Sequence, residues 1–286
     1  MTNETSNTDC ASSSQKTESP KNKPEKSKIN VRHVILVLSG KGGVGKSTVS
    51  VNLAYALSSH GYQTGLLDLD LHGPSIGKML GIEDMRLQAI GEHIMPLKVT
   101  GSLKVVSIAL LLNETDSPVV WRGPMKAAAT KQFLGEVEWG ELDYLIVDLP
   151  PGTGDEALNI IQFAPNVEGA VIVTTPQDVA VLDATKAIKF IEMMDLSVLG
   201  VIENMSGMVC PHCGEVVDIF GKGGGAKAAE QYKVPYLGAI PLDIEMRKAA
   251  DEGRPFIVRT PGKVSPTWDA VDKVMENLIA VIESRE

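Results

Sequence analysis

Cysteine, aromatic side chains and long apolar runs are all scarce in this sequence of 286 residues. Three cysteines, only two of them close together, cannot form the disulfide framework that stabilises small secreted domains. No apolar stretch approaches the roughly 18 residues that a membrane-spanning helix needs. The polar N-terminus also lacks the apolar core of a secretory signal. We therefore expect a cytoplasmic protein with reduced thiols and without a membrane partner.

Positive charge is in deficit as well. The chain has 27 Lys and Arg against 36 Asp and Glu, which gives a net charge of −9. Binding along a nucleic-acid backbone needs clustered basic side chains that neutralise phosphates. The acidic balance therefore argues against nucleic acid as a partner.

The composition divides the chain into two regions. Residues 1–28 are rich in Ser, Thr, Lys, Asn and Pro and contain almost nothing apolar. Such a segment cannot bury enough surface to offset the entropy lost on ordering. We expect a disordered polar tail there, followed by a single domain over residues 29–286.

Short runs of Val, Ile and Leu recur from Val31 onward, as in "HVILVLSG" and "DYLIVDLPPG". Runs of this length fit strands that are covered on both faces, as in parallel sheets. Helix-like segments separate the runs, at 47–60, 124–134, 155–163, 179–193, 243–252 and 266–284. The alternation predicts an α/β fold with a doubly wound, mostly parallel sheet, and residues 92–121 as a strand or hairpin insertion. Ligands bind such sheets beyond the carboxyl ends of the strands, so the chemistry should gather at one edge.

The segment "SGKGGVGKST" follows the first predicted strand and opens the first predicted helix. It matches G-x-x-x-x-G-K-[ST], in the strand–loop–helix context that a phosphate-binding loop (P-loop) requires. The glycines let backbone N–H groups converge on phosphate oxygens, and the helix start adds its positive dipole end. Lys46 should reach the β- and γ-phosphates of ATP, and the Ser47 hydroxyl should ligate Mg²⁺. The nucleotide-binding residues predicted here are Gly40, Lys41, Gly42, Gly43, Val44, Gly45, Lys46, Ser47 and Thr48.

Two acidic segments follow later strands. "LLDLDLHGPS" places Asp68 and Asp70 after the second predicted strand, and "YLIVDLPPGTGD" places Asp148 after a strongly apolar one. Asp148 has the setting of a carboxylate that holds Mg²⁺ through water. Asp68 also fits a helix cap or turn, whereas Asp70 is the predicted catalytic residue that orients the attacking water. Residues 152–154 supply a flexible loop able to sense loss of the γ-phosphate.

The segment "GMVCPHCGEVV" contains Cys210 and Cys213 on either side of a Pro-His pair. Soft metals and iron–sulfur clusters usually take four ligands, so this pair is half of a site. Thiolates select zinc, Cu(I) or iron–sulfur clusters, and the spacing alone favours zinc. A thioredoxin-like redox pair is a third alternative, but such a motif heads a helix, whereas Gly and Pro surround this one. His212 is interpreted as a bystander.

Six motifs occur in a fixed order: "SGKGGVGKST", "DLDLHGPS", "DLPPGTGD", "VTTPQDVA", "ENMSGMVCPHCG" and "IPLDIEMRKAADEGRP". Together they resemble the Mrp/ApbC group of iron–sulfur cluster carriers, relatives of the MinD, ParA and nitrogenase-iron-protein ATPases. The resemblance covers residues 30–285. It implies a homodimer that binds and hydrolyses ATP and holds a [4Fe–4S] cluster between protomers, through Cys210 and Cys213 of each. Such a carrier takes the cluster from scaffold donors and transfers it to apo-proteins.

The same resemblance implies roles for single residues. "KGGVGKST" is the deviant Walker A signature, in which the early lysine, here Lys41, reaches the partner's nucleotide across a dimer interface. Asn204 stands where the family places a residue that contacts adenine, although a plain turn asparagine fits there too. Asp178 is expected to initiate a helix. Relatives with a second, N-terminal cluster carry several cysteines there, whereas this chain has only Cys10, so we expect no second cluster.

A rival interpretation is a MinD/ParA-like positioning or regulatory ATPase with a structural zinc site. Positioning ATPases attach to DNA or membranes through a basic patch or a basic amphipathic terminal helix. The last predicted helix, in "PTWDAVDKVMENLIAVIESRE", is amphipathic but acidic. We therefore expect it to pack on the core.

Overall fold

The computed structural model of the chain describes residues 26–70, 73–111, 123–210, 212–257 and 265–285. The strands within these ranges are β1 (Val31–Leu38), β2 (Thr64–Asp68), β3 (Gln88–Ile90), β4 (His93–Met95), β5 (Leu97–Lys98), β6 (Leu103–Ser107), β7 (Leu142–Asp148), β8 (Val167–Thr174), β9 (Val198–Val209), β10 (Val216–Val217) and β11 (Tyr236–Leu242). The helices are α1 (Lys46–Ser59), α2 (Ile76–Met79), α3 (Gly123–Gly135), α4 (Asp155–Phe163), α5 (Asp178–Met193), α6 (Gly224–Tyr232), α7 (Ile244–Asp251) and α8 (Pro266–Glu283).

The main sheet has the order β10-β9-β8-β1-β7-β2-β6-β5 within the described residues, and β11 also pairs with β9. Only β5 and β10 run antiparallel to their neighbours in this sheet. All other pairs are parallel. A separate hairpin consists of β3 and β4. The predicted mostly parallel α/β sheet is confirmed.

Helices cover both faces of this sheet. Successive residues of a strand point to opposite faces. In β1, Ile35 and Val37 accordingly join one apolar cluster, which α1, α7 and α8 complete, while Leu36 and Leu38 join the other, which α3, α4 and α5 complete. Trp268 and Leu278 of α8 are buried, so the expected packing of this helix on the core is confirmed.

The six helices predicted from the sequence are α1, α3, α4, α5, α7 and α8, each within one residue of its predicted limits. Helix α5 begins at Asp178, so the expected helix initiation at this residue is confirmed; the N-cap position belongs to Gln177, and no side chain caps the helix. Helix α6 escaped prediction because its first turn lies in the glycine run "GKGGG".

Two sequence predictions fall partly or wholly outside the described residues. The insertion at 92–121 contains β4, β5, β6 and a 3₁₀ turn at Ile108–Leu111, whereas residues 112–121 lie outside. Residues 1–25 of the proposed tail, with Cys10, also lie outside. The division into tail and domain therefore stays a prediction.

Parallel pairing sets where the chemistry lies. The strands β1, β2, β7, β8, β9 and β11 run in the same direction. Their carboxyl ends therefore meet at one edge of the sheet and lead into the P-loop, the two acidic segments and the cysteine segment. Among the described helices, none combines the length and the apolar character needed to cross a bilayer.

Asp243 joins the beginnings of α7 and α8 at this edge. Its Oδ1 accepts hydrogen bonds from the backbone N–H groups of Glu245 and Met246, at 2.7 and 3.3 Å. Its Oδ2 accepts from the hydroxyls of Thr267 and Ser265, at 2.8 and 3.1 Å. One carboxylate therefore caps α7 and links it to α8.

Replacing Asp243 by Ala should lower the free energy of unfolding by about 2 kcal/mol, because a cap is lost and the hydroxyl of the buried Thr267 loses its acceptor. Asp251→Ala, at the other end of α7, is the matched control. Its exposed ion pair with Arg247 should be worth under about 0.5 kcal/mol. Urea unfolding followed by circular dichroism measures both, and equal losses would argue against the capping role.

Candidate nucleotide and metal-binding site

The P-loop connects β1 to α1 with a left-handed turn. Gly43 and Gly45 both have φ of +80°, a conformation that glycine adopts without strain. Gly45 is the N-cap of α1, and this described turn has neither a capping side chain nor an acidic residue. The first N–H groups of α1 are thus left for an anion, which the helix dipole also favours.

Two glycines of the P-loop are required by close neighbours. A Cβ at Gly40 would lie 2.1 Å from the backbone oxygen of Asp183 in α5. A Cβ at Gly45 would lie 2.2 Å from Nδ2 of Asn204. The P-loop is therefore held against α5 on one side and against β9 on the other.

Asp148, at the end of β7, is fully buried and is the centre of a polar network. Its Oδ2 accepts from Nζ of Lys46 at 2.7 Å and from the hydroxyl of Ser47 at 2.6 Å. Its Oδ1 accepts from the hydroxyl of Ser50 at 2.6 Å. The structure therefore brings together the predicted site residues Lys46, Ser47 and Asp148, whose roles stay predictions, and adds Ser50. The sequence offers one signal for Ser50, since residues i and i+4 share a helix face.

The two acidic residues after β2 lie beside this network. Asp70 Oδ2 is 3.9 Å from Nζ of Lys46, so the ammonium lies between two carboxylates. Asp68 is fully buried, opposite Asp148 in the parallel register, and accepts from the Ser107 hydroxyl at 2.8 Å. Asp68 Oδ1 also accepts from the backbone N–H of Asp70 at 3.0 Å, so it fixes the turn that presents Asp70.

Lys41 lies at the rim of the P-loop. Its side chain is half-buried, and no described carboxylate lies within salt-bridge distance of its ammonium. Its backbone oxygen accepts from the Ser39 hydroxyl at 3.0 Å, which fixes this corner of the loop. The N–H of Gly152 in the 152–154 loop donates to the Ser39 backbone oxygen at 2.9 Å. The exposed 152–154 loop thus borders the P-loop.

Asn204 in the middle of β9 is buried and contacts the P-loop directly. Its Nδ2 donates to the backbone oxygen of Val44 at 2.9 Å. Beside it opens a cavity of about 350 Å³, whose lining includes Thr48, Met205, Pro241 and Met246. Sequence reasoning missed the wall of this cavity formed by α7: the motif "IPLDIEMRKAADEGRP" contains that wall, but the motif does not show that the helix lies beside the P-loop.

The cysteines lie in a β-hairpin that extends from the same edge. Strand β9 pairs with β10 through Val209 and Val216, and the cysteine loop follows immediately. The backbone N–H of Cys210 donates to the backbone oxygen of Glu215 at 2.8 Å. The backbone oxygen of Cys210 accepts from the backbone N–H of Gly214 at 2.9 Å. The pair therefore lies in a hairpin turn and not at the head of a helix, which removes the structural basis for a thioredoxin-like interpretation.

Electrostatics favour a thiolate at the hairpin. Hydrogen bonds from the backbone N–H groups of Cys213 and then His212 lower the pKa of the Cys210 thiol. Cys210 is partly accessible and Cys213 is exposed. Among the described residues no group of three or more His, Cys, Asp and Glu side chains is arranged to hold a metal ion. This part of one chain thus presents two cysteine sulfurs and no third ligand.

Comparison with known proteins agrees with this geometry. A family model described as ParA, the NUBPL iron-transfer P-loop NTPases, matches residues 30–279. The chain belongs to this family. As a NUBPL-family member it is 54% identical, over 80% of its length and 79% of the relative's, to the iron-sulfur cluster carrier protein of Methanocaldococcus jannaschii. It is also 49% identical to the cytosolic Fe-S cluster assembly factor CFD1 of Saccharomyces cerevisiae, over 77% of each chain.

A solved structure shares the fold of this NUBPL-family chain. The nucleotide-binding protein of Archaeoglobus fulgidus, solved in complex with ADP, has 39% sequence identity and a TM-score of 0.70. The match covers 84% of this chain and 91% of that one. The predicted P-loop NTPase fold and the resemblance to iron–sulfur carriers are both confirmed at the level of the family.

The buried carboxylate of Asp68 should make stability depend on pH in the absence of nucleotide. Burial, and then the neighbouring Asp148, raise the pKa of Asp68 from 3.8 to about 7. Between these values the folded protein holds a proton that the unfolded chain has released, so rising pH favours unfolding. The stability of the wild type relative to Asp68→Asn should therefore fall from about pH 4 to pH 7 and then level off. Urea titrations at each pH measure it; a relative stability that rises with pH would contradict the assignment.

Proposed function

We propose that this chain is an ATP-hydrolysing iron–sulfur cluster carrier that holds a [4Fe–4S] cluster between two copies of itself. The observation that carries the proposal is the position of the two thiols. They project on a hairpin from the sheet edge that bears the P-loop, and the described residues of the chain provide no third ligand. The cluster is the cargo, received from scaffold donors and passed to apo-proteins in the cytoplasm.

A two-fold axis would supply the missing half of the sulfur site. A [4Fe–4S] cluster takes four thiolates, and a two-fold dimer presents Cys210 and Cys213 twice. The hairpin also carries exposed aliphatic side chains, with Val209 42% and Val216 63% exposed. Burying these against the same residues of a second copy would favour association and exclude water from the cluster.

Helix α5 supports the same arrangement. Val179 and Leu182, in its first two turns, are 67% and 60% exposed. This end of α5 touches the P-loop through Asp183. A homodimer that covers these side chains would also bring the rims of two P-loops together. Lys41 of each copy would then face the nucleotide of the other and stabilise charge that develops during hydrolysis.

The nucleotide site has the groups that ATP requires. The phosphates would occupy the P-loop, from Gly40 to Thr48, and the base would enter the cavity beside Asn204. Ser47 offers a hydroxyl oxygen as a ligand for Mg²⁺, and the Asp148 carboxylate, which accepts a hydrogen bond from this hydroxyl at 2.6 Å, would hold the ion through water. Mg²⁺, when bound there, neutralises charge on the phosphate oxygens. Lys46 contacts the β- and γ-phosphates, and Asp70 orients the attacking water.

A regulatory ATPase with a bound zinc ion is the second candidate. The observation that favours it is the exposed hairpin turn around Cys210, whose backbone N–H groups stabilise a thiolate for any soft metal. Metal and sulfide analysis of protein purified without oxygen separates the two functions, because zinc brings no acid-labile sulfide.

Changing Cys210 and Cys213 together to Ala should abolish cluster binding, because both ligands of each chain are lost. After anaerobic reconstitution the wild type should hold about four irons and four sulfides per dimer, and the double variant almost none. Cys10→Ala is the matched control and should keep the wild-type content. Mg-ADP binding should be retained in all three proteins. A double variant with full iron and sulfide content would refute the assignment.

Lys41 acting on the partner's nucleotide predicts complementation between two inactive variants. Lys41→Ala and Asp70→Asn should each lose ATPase activity, the former by about a thousandfold. A mixed dimer has one site that combines Asp70 of one chain with Lys41 of the other. Random mixing should therefore restore about a quarter of the wild-type rate, because half of the dimers are mixed and each has one intact site. If Lys41 serves its own site, mixing restores nothing.

A further inference from the structure

Strand β9 links the nucleotide site to the cysteines within one protomer. It extends over 12 residues, Val198–Val209, and Cys210 follows it directly. Asn204, in its middle, donates to the P-loop at Val44. The six steps from Asn204 to Cys210 are therefore the direct covalent path from the phosphate site to the sulfur site.

Glu203, next to Asn204, forms hydrogen bonds with both ends of the chain segment that carries the cysteines. Its side chain is fully buried. The carboxylate accepts from the Ser206 hydroxyl at 2.6 Å, on the outgoing strand. It also accepts from the N–H groups of Gly223 and Gly225 at 2.9 and 2.6 Å, where the chain returns to begin α6. One carboxylate thus holds residues 206 and 223 together, and both cysteines belong to the segment between them.

The need to cap α6 does not by itself explain why a buried glutamate stands at position 203. A local Ser or Asp at the N-cap, where the chain has Gly223, could satisfy these N–H groups near the surface. Burying a carboxylate costs free energy unless all of its oxygens accept hydrogen bonds. A buried cap from a residue distant in sequence is therefore less favourable than a local cap at the surface. What Glu203 adds is a fixed position of the returning loop relative to β9.

Between Glu203 and the cysteines, β9 contains a bulge. Ile240 and Leu242 of β11 are two residues apart, yet they pair with Asn204 and Met208, which are four apart. The extra residues include Met205 with φ of +56°, a left-handed conformation that a residue with a Cβ seldom adopts, and Gly207 with φ of +70°. A bulge of this kind redirects the strand beyond it.

Met205 also contacts the nucleotide site. Its Cε is 3.5 Å from the position that a Cβ would occupy at Gly45, and its side chain lines the cavity beside Asn204. A base that enters this cavity must therefore touch the residue whose backbone sets the direction of the hairpin. A ligand shifts a conformational equilibrium only through contacts that differ between the two states, and Met205 provides such a contact.

We propose that residues 203–207 are the joint through which nucleotide binding changes the geometry of the Cys210/Cys213 pair. Glu203 is a positioning residue in this joint. Its hydrogen bonds keep the hairpin rigid, so that the hairpin rotates as one body about the bulge. The inference rests on the proposed function and adds to it the route by which ATP controls the metal site. This route lies inside one protomer and complements any movement of one protomer against the other.

The test is a thermodynamic cycle with Co²⁺ as a probe of the thiolates and Mg-ADP as the nucleotide. Without oxygen, Co²⁺ is titrated at fixed chain concentration, with and without saturating Mg-ADP. The sulfur-to-cobalt charge-transfer absorbance reports only thiolate-bound metal. For the wild type, Mg-ADP should change the Co²⁺ dissociation constant by at least about fivefold, and linkage requires that Co²⁺ change the affinity for Mg-ADP by the same factor.

The variants separate coupling from stability. In Glu203→Gln, Mg-ADP should change the Co²⁺ dissociation constant by less than about twofold, because the amide cannot accept from all three donors. Ser206→Ala removes a single hydroxyl, is expected to fold normally, and should reduce the factor in the same direction. Glu168→Gln in β8 removes a carboxylate that contacts His33 at the opposite end of the sheet, and it should keep the wild-type factor.

Each outcome decides between specific claims. The same factor in the wild type, Glu203→Gln and Ser206→Ala would overturn the joint. A wild type that binds both Co²⁺ through thiolates and Mg-ADP, but with a factor of one, would overturn the coupling and leave the proposed function standing. A wild type without thiolate-bound cobalt would overturn the proposed function, and the joint with it.

Discussion

Parallel pairing of the strands is the constraint on which the rest of the molecule depends. Neighbouring parallel strands all end at the same edge, so β1, β2, β7 and β9 bring residues from distant parts of the chain to one rim. The P-loop, Asp70, Asp148 and Asn204 meet there. Because β9 continues past the rim into the hairpin, oxygen ligands suited to phosphate chemistry and sulfur ligands suited to a soft metal lie along the same edge.

The free-energy cost of burying charge explains why the charged side chains of the nucleotide site make so many hydrogen bonds. Lys46 and Asp148 are almost completely buried, and an unpaired charge at either place would strongly destabilise the fold. Hydroxyls of Ser47 and Ser50 complete the hydrogen bonding of the carboxylate. Among the described residues, no buried polar side-chain atom lacks a partner. Lys46, Ser47, Ser50 and Asp148 are therefore held together by hydrogen bonds.

Local patterns in the sequence predicted much of this arrangement. Apolar runs gave the central strands, helical periodicity gave six helices, and spacing gave the P-loop with Lys46 and Ser47. The sequence could not show Ser50 on Asp148 or Glu203 on the start of α6, because these contacts join residues 98 and about 20 positions apart. The bulge at Met205 could not be predicted from the sequence either. The left-handed backbone conformation of this methionine depends on its neighbours in space and not on any motif. The identity of the metal also lies beyond a two-cysteine pattern.

The proposed carrier function depends most on two chains sharing one metal centre. Native mass spectrometry of the anaerobically reconstituted protein tests this directly, because it weighs the polypeptides and the inorganic load in one ion. We expect a species of two chains of 30.6 kDa with one [4Fe–4S] cluster, and no cluster on single chains. A complete cluster retained by a single chain would contradict the account.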